Sequence, residues 1–159
     1  LNKLPRVLYC GFIDTNSLSG SLQGFDMSRF RFEQFELSHM QCKVNGIMQS
    51  SGHQFIFGQD DAGATKAYKA LQSSVGLQDN FNSNDLTFES FKERNFILSY
   101  NFIPSLNNFG TITEASTGEI SFDFGFKTAT TRPLSLVIYA SYNCNLNIDN
   151  QLRVTNIVY

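Results

Sequence analysis

Apolar and polar residues alternate without a break from Leu134 to Ile148. Side chains leave a β-strand on alternate faces, so this period of two predicts one long half-buried strand, or two strands joined by a bend. An uncharged polar sheet face is typical of a surface that another subunit or a sugar covers. We therefore expect the core to lie on the even-numbered side and the following polar residues to point away from it: Ser135, Ser141, Asn143, Asn145 and Asn147.

Similar patterns along the chain predict further strands, which brings the total to about eight. The longest of these runs from Phe30 to Val44, where the apolar phase changes twice, and each change requires one extra residue. We therefore expect β-bulges near Glu33–Gln34 and Ser38–His39, and a break at Asn45–Gly46. The other apolar runs are Val7 to Ile13, Phe55 to Phe57, Phe96 to Phe102, Ile120 to Phe126 and Leu152 to Tyr159.

One helix is predicted, over Ala62 to Val75, because its small and apolar residues recur at helical spacing. Asp60 or Asp61 lies where a side chain can cap the first turn and favour its positive dipole end. The same two carboxylates are also candidate ligands of a calcium ion shared with a neighbouring subunit. Calcium binds six to eight oxygens, so two adjacent aspartates need further ligands from elsewhere.

The pattern therefore predicts an all-β fold with one short helix. Antiparallel strands with one apolar face each bury those faces by stacking two sheets or by closing a barrel. The length of 159 residues suits a single domain that covers the whole chain, 1–159.

Charge is scarce, because Asp, Glu, Lys and Arg make up 16% of the residues, against about a quarter in an average soluble domain. The net charge of −2 gives the chain no general attraction to nucleic acid or anionic membranes. Lys3 and Arg6 are the candidate remnant of a basic arm. No long apolar segment or signal peptide is present, so no membrane partner is expected.

The residues that enzymes use are not arranged for catalysis. His39 and His53 are the only histidines, neither has a metal-ligand spacing, and we expect both in structural or surface roles. Cys10, Cys42 and Cys144 are far apart, and the last two fall on apolar phases, which predicts small buried side chains rather than disulfides. No Asn-x-Ser/Thr sequon occurs, which favours the cytosol. We therefore expect a protein that is not an enzyme.

Three segments carry a resemblance to a known class of protein. The run FRFEQFELSHMQCKVNG, followed by GHQFIFGQDD and a helix-forming stretch, resembles the C and D strands of single jelly-roll capsid proteins of small icosahedral RNA viruses and satellite viruses. RPLSLVIYASYNCNLNI is similar to their H strand, and LRVTNIVY suits a terminal strand.

The resemblance implies an eight-stranded antiparallel jelly-roll β-sandwich that self-assembles into an icosahedral shell around an RNA genome. It implies location in the virion, and in the host-cell cytoplasm during assembly. Such capsids carry an Arg/Lys-rich N-terminal arm, which would precede Lys3. Genomic RNA would then contact the inner face near Lys3 and Arg6, and calcium would bind at Asp60 and Asp61.

Two other functions fit the same residues. A carbohydrate-binding β-sandwich, such as a lectin or adhesin domain, would use Asn, Ser and Tyr on a sheet face, although the chain has no Trp to stack on a sugar. A trimeric jelly roll of the tumour-necrosis-factor type is the other alternative. Its secretion would normally bring sequons or disulfides.

Overall fold

The computed structural model describes residues 3–18, 30–48, 53–76, 85–102 and 117–142, and the backbone of 145–148 and 154–158. These residues form eight strands and three helices. In chain order they are β1 (Val7–Asp14), α1 (Thr15–Leu18), β2 (Leu37–Val44), β3 (Gln54–Ile56), α2 (Ala62–Ser74), α3 (Phe88–Arg94), β4 (Leu98–Asn101), β5 (Ile120–Phe126), β6 (Leu134–Ser141), β7 (Asn145–Ile148) and β8 (Val154–Val158).

Six of the strands form two antiparallel sheets of three strands each. The first sheet has the order β4-β1-β6 and the second the order β3-β2-β5, while β7 and β8 form a separate antiparallel pair. The described part of the chain is thus mostly β with few helices. This architecture is consistent with the all-β sandwich that the sequence predicts.

Aromatic side chains join the two sheets through a shared core. The Phe12 ring of β1 lies 5.2 Å from the Phe124 ring and 5.3 Å from the Phe126 ring of β5, both edge-on. The Tyr100 ring of β4 lies 5.5 Å from the Phe55 ring of β3. Edge-to-face packing is the arrangement that aromatic quadrupoles favour, so these pairs stabilise the contact between the sheets beyond the area that they bury.

Helix α2 closes one side of this core. It covers Ala62–Ser74, within one residue of the prediction, and it buries Gly63, Ala64, Ala67 and Leu71 on one face. The helix contacts both β3 and β4, which are edge strands of different sheets. Gly63 allows this approach, because a Cβ at this position would clash with the carbonyl oxygen of Ile56.

Helix α3 corrects the prediction of a single helix. Its first turn is capped by Thr87, whose Oγ1 accepts a hydrogen bond from the Ser90 amide at 3.1 Å. Glu89 lies in the first turn and Lys92 and Arg94 in the last, which complements the helix dipole. Phe91 is fully buried in the core.

One of the two predicted bulges is confirmed. The register between β2 and β5 shifts between Leu37 and His39, as the phase change at Ser38–His39 predicts. The prediction for Glu33–Gln34 is wrong, because the chain makes a tight turn just beyond these residues. In that turn the Leu37 amide donates to the Gln34 carbonyl at 3.0 Å.

Two turns share a left-handed backbone but differ in sequence. Asn45 and Gly46 have φ of 52° and 76°, and Asn-Gly is the pair that such turns favour. Phe35 and Glu36 adopt φ of 48° and 58° with no glycine or asparagine to ease the conformation. The left-handed conformation costs an ordinary L-residue about 1–2 kcal/mol, so the Phe35–Glu36 turn is strained.

Candidate functional site

Within the described part of the chain, the first sheet ends at β6, on the side of the sandwich opposite α2. Cys10 of β1 and Ile138 of β6 are register partners on the same face of this sheet. Cys10 is 2% exposed, whereas Ile138 is 48% exposed. The apolar face that forms the core therefore continues onto β6 and reaches solvent there.

The second sheet ends in the same way at β5. Met40 of β2 is fully buried, whereas its register partner Phe124 on β5 is 42% exposed. We call the exposed apolar region formed by β5 and β6 the open edge, and define it by Phe124, Ile138 and Tyr142, all of them exposed. Tyr139 is also exposed but lies on the other face of β6, where its ring is 6.2 Å from that of Tyr9. The expectation that the even-numbered residues of this segment are covered is therefore wrong at Ile138 and Tyr142.

Among the described residues, no strand pairs with the outer edge of β6, and the sequence of β6 carries none of the usual edge protection. Its sequence, LSLVIYAS, holds no charged residue and no proline, and it pairs with β1 over eight residues without a register shift. Natural edge strands are usually protected by lysines, prolines, bulges or a covering segment, since free backbone donors and acceptors recruit other strands. An edge of this kind is chemically suited to pair with another strand.

The polar face of β6 is only partly as expected. Ser135 Oγ lies 2.8 Å from Thr15 Oγ1, so this serine is half-buried and bonded to the start of α1 rather than exposed. Ser141 is also half-buried. Asn143 and Cys144 lie outside the described residues, as do the side chains of Asn145 and Asn147.

Asp60 and Asp61 lie together at the start of α2. Asp61 occupies the N-cap position, but its side chain makes no capping bond. Its Oδ2 instead accepts from Lys92 Nζ at 2.8 Å, which ties α2 to α3. Within the described ranges, no three or more His, Cys, Asp or Glu residues cluster as metal ligands, so calcium binding stays a prediction.

Lys3 and Arg6 lie just before β1. Lys3 forms an isolated β-bridge with Thr117. The Arg6 amide donates to the Ser141 carbonyl at 2.7 Å, and the Arg6 carbonyl accepts from the Phe102 amide at 3.1 Å. The backbone here joins the ends of β4 and β6, and a role of these residues in binding RNA stays a prediction.

A serine, a histidine and an aspartate meet on the outer face of the second sheet, a grouping that the sequence did not reveal. Ser38 Oγ lies 3.0 Å from His39 Nδ1, and His39 Nε2 lies 3.8 Å from Asp123 Oδ1. Ser38 donates its proton to the Gly125 carbonyl at 2.9 Å rather than to the imidazole. A nucleophile must give its proton to the base, so this grouping lacks the geometry of a catalytic triad.

Lys43 stabilises the charged form of Asp123. Its Nζ lies 3.0 Å from Asp123 Oδ2, and this hydrogen bond, together with the lysine's positive charge, lowers the pKa of Asp123 below its usual value. The nearby His39 adds a smaller effect in the same direction. The cluster is therefore a surface ion pair.

Two thiols and a phenol lie in the core between the sheets. Cys10 and Cys42 are free and buried, as expected for Cys42. Burial raises the pKa of Cys42 to about 12, and it raises those of Cys10 and Tyr100 as well. Thiolate is the reactive form of cysteine, so burial and the raised pKa disfavour reaction of these thiols in the folded protein.

No protein-family model matches the chain, and neither the curated proteins nor the solved structures give a significant match. Among the described residues, no helix is long and apolar enough to cross a membrane.

Proposed function

We propose that this chain is the coat protein of a small RNA virus or satellite virus. In this proposal its strands form an eight-stranded jelly roll, and many copies assemble into an icosahedral shell around the genome. The protein is then located in the virion, and in the cytoplasm of the host cell during assembly. The observation that carries the proposal is the open edge, where an unprotected strand and exposed apolar side chains lie together. Exposed apolar patches of this kind mark surfaces that bind other proteins.

A second copy of the chain is the occupant that best suits the open edge. Strand β6 carries no charge, and uncharged surfaces suit an interface that is buried permanently. Two antiparallel copies of one strand can pair about a two-fold axis, because each copy presents the same donors and acceptors to the other. The low charge of the whole chain agrees with a subunit that buries much of its surface against its copies.

In this proposal, RNA lies against the inner surface of the shell. Lys3 and Arg6 would contribute positive charge there, just before β1. Calcium at Asp60 and Asp61 would require ligands from a neighbouring subunit, since Asp61 already accepts a hydrogen bond from Lys92.

Sedimentation velocity of matched variants tests the open edge. We expect the purified chain to sediment as a large assembly, and Ile138→Lys to reduce it to smaller species, because the substitution places a charge inside the interface. Ile47→Lys is the control, since Ile47 is 67% exposed at the Asn45–Gly46 turn and belongs to neither β5 nor β6.

Circular dichroism would verify that both variants keep the fold. Assembly of Ile138→Lys to the same size as the wild type would contradict the proposed interface. So would a wild-type chain that remains monomeric at low and high salt and with calcium.

A further inference from the structure

A cleft of about 340 Å³ lies between the Phe35–Glu36 turn and the loop 127–133 that joins β5 to β6. Its volume is near the lower end of the range for small-molecule sites, roughly 300–1,000 Å³. The walls combine carboxylate, guanidinium, hydroxyl and aromatic groups. The residues that matter here are Glu33, Phe35, Glu36, Thr130, Thr131 and Arg132.

Ion pairs hold two of the charged side chains in place. Arg31 Nε lies 2.6 Å from Glu33 Oε1. Arg132 Nη1 lies 3.6 Å from Asp14 Oδ2, and the Asp14 carboxylate is nearly buried while the arginine remains exposed. The cleft thus presents two charged groups that are paired with residues outside its lining.

The carboxylate of Glu36 differs from the Glu33 and Arg132 side chains, which both have ionic partners. It is exposed, and it makes no hydrogen bond or ion pair with the parts of the chain that the structure describes. Its backbone is nevertheless held, because the Glu36 carbonyl accepts from the Lys127 amide at 2.8 Å. A fixed backbone and an unengaged carboxylate at the mouth of a cleft leave an acceptor available to a ligand.

The strain in the turn falls on the residues that line the cleft. Phe35 and Glu36 adopt the left-handed conformation, which Asn45 and Gly46 adopt in the other turn at lower cost. Phe35 is half-buried and packs against the hydrophobic core, which offsets its strain, whereas Glu36 is exposed and gains no such packing. Strained residues persist where they serve a function, so the left-handed conformation of Glu36 points to a role for its side chain.

We propose that this cleft binds a neutral saccharide. A sugar ring has an apolar C–H face, which Phe35 and Leu134 can contact, and hydroxyls that donate to carboxylates and accept from Arg132 and threonine hydroxyls. Glu33 is paired with Arg31 and Arg132 with Asp14, so the Glu36 carboxylate gives the cleft a net negative charge, which disfavours an anionic ligand. The described residues also provide no cluster of three acidic or histidine ligands for a metal. This assignment does not depend on assembly into a shell.

Saturation-transfer NMR with the full chain tests the assignment, with lactose, maltose and chitobiose as neutral probes and 3′-sialyllactose as the anionic one. We expect transfer to at least one neutral disaccharide, and no stronger transfer to 3′-sialyllactose than to lactose. Absence of transfer to all neutral probes, or a preference for 3′-sialyllactose over lactose, would overturn the proposal.

Two variants at Glu36 test separately the role of its carboxylate in binding and the strain of its backbone. Glu36→Gln keeps the backbone and removes the charge, so we expect the Kd for the bound disaccharide to rise roughly tenfold or more. Glu36→Gly also loses binding but relieves the left-handed strain, and we expect its melting temperature to rise by about 2–4 °C.

Glu93→Gln, on the exposed face of α3, is the matched control and should bind like the wild type. Wild-type affinity in Glu36→Gln would overturn the proposed role of the carboxylate. A lower melting temperature in Glu36→Gly would overturn the argument from strain.

Discussion

Cys10 and Ile138 are register partners across β1 and β6, on the same face of the same sheet, yet one is buried and the other is half exposed. The difference arises because β1 is the central strand and β6 is an edge strand. Helix α2 covers the edge strands on the other side of the sandwich. The described residues thus show one covered side and one exposed side, and this asymmetry is the basis of the proposed self-assembly.

The hydroxyl of Tyr100 predicts an unusual response to mutation. This side chain is fully buried, and its hydroxyl has no hydrogen-bond partner among the described residues. An unsatisfied buried polar group costs about 1–3 kcal/mol, so we expect Tyr100→Phe to raise the free energy of unfolding by about 1 kcal/mol. Chemical denaturation measures this change.

Tyr68→Phe is the matched control for that substitution. The Tyr68 hydroxyl donates to the Leu86 carbonyl at 2.6 Å, so its removal should lower the free energy of unfolding by about 1 kcal/mol. If Tyr100→Phe destabilises the protein as Tyr68→Phe does, the Tyr100 hydroxyl has a partner and the account of the core is wrong.

The buried thiols predict slow chemical modification. In a Cys144→Ser background, we expect a thiol reagent at pH 8 to label Cys10 and Cys42 only as fast as the protein unfolds, because both are buried and burial raises the pKa of each. The control is the same protein in denaturant, where both thiols should react at once. Rapid labelling of either thiol under native conditions would show that the core between the sheets is accessible.

The ion pair between Lys43 and Asp123 predicts a shifted titration. In the wild type, carbon-detected NMR should give a pKa for Asp123 below the usual aspartate value of 3.8. Lys43→Met should raise it, because the hydrogen bond and the positive charge are lost. An unchanged titration midpoint in that variant would contradict the assigned cause.

The same shift fixes the sign of a pH effect on stability. A carboxyl whose pKa is lowered by folding stabilises the folded state above its unfolded pKa, and this contribution disappears as the pH falls through the folded value. The pair is exposed, so we expect only a small loss of stability below about pH 4.

Local features of the fold follow from the sequence because they depend on near neighbours. The spacing of Ala64, Ala67 and Leu71 predicts α2, and the phase change at Ser38–His39 predicts the observed register shift. Helix α3 was missed, although the cap at Thr87 and the acidic and basic residues at its two ends are readable signals.

Features that depend on distant parts of the chain could not be predicted in this way. The exposure of Ile138 depends on what lies beside β6, and alternation along one strand carries no information about neighbouring strands. The cleft joins a turn at Phe35–Glu36 to a loop that follows β5, and only the folded backbone brings them together. The strain in that turn likewise appears only in its backbone angles.

Negative-stain electron microscopy of the purified chain tests self-assembly most directly, because it distinguishes shell, trimer and monomer in one experiment. The account predicts closed particles of uniform diameter built from many copies. Isolated subunits of 17.9 kDa at every salt and calcium concentration would contradict it.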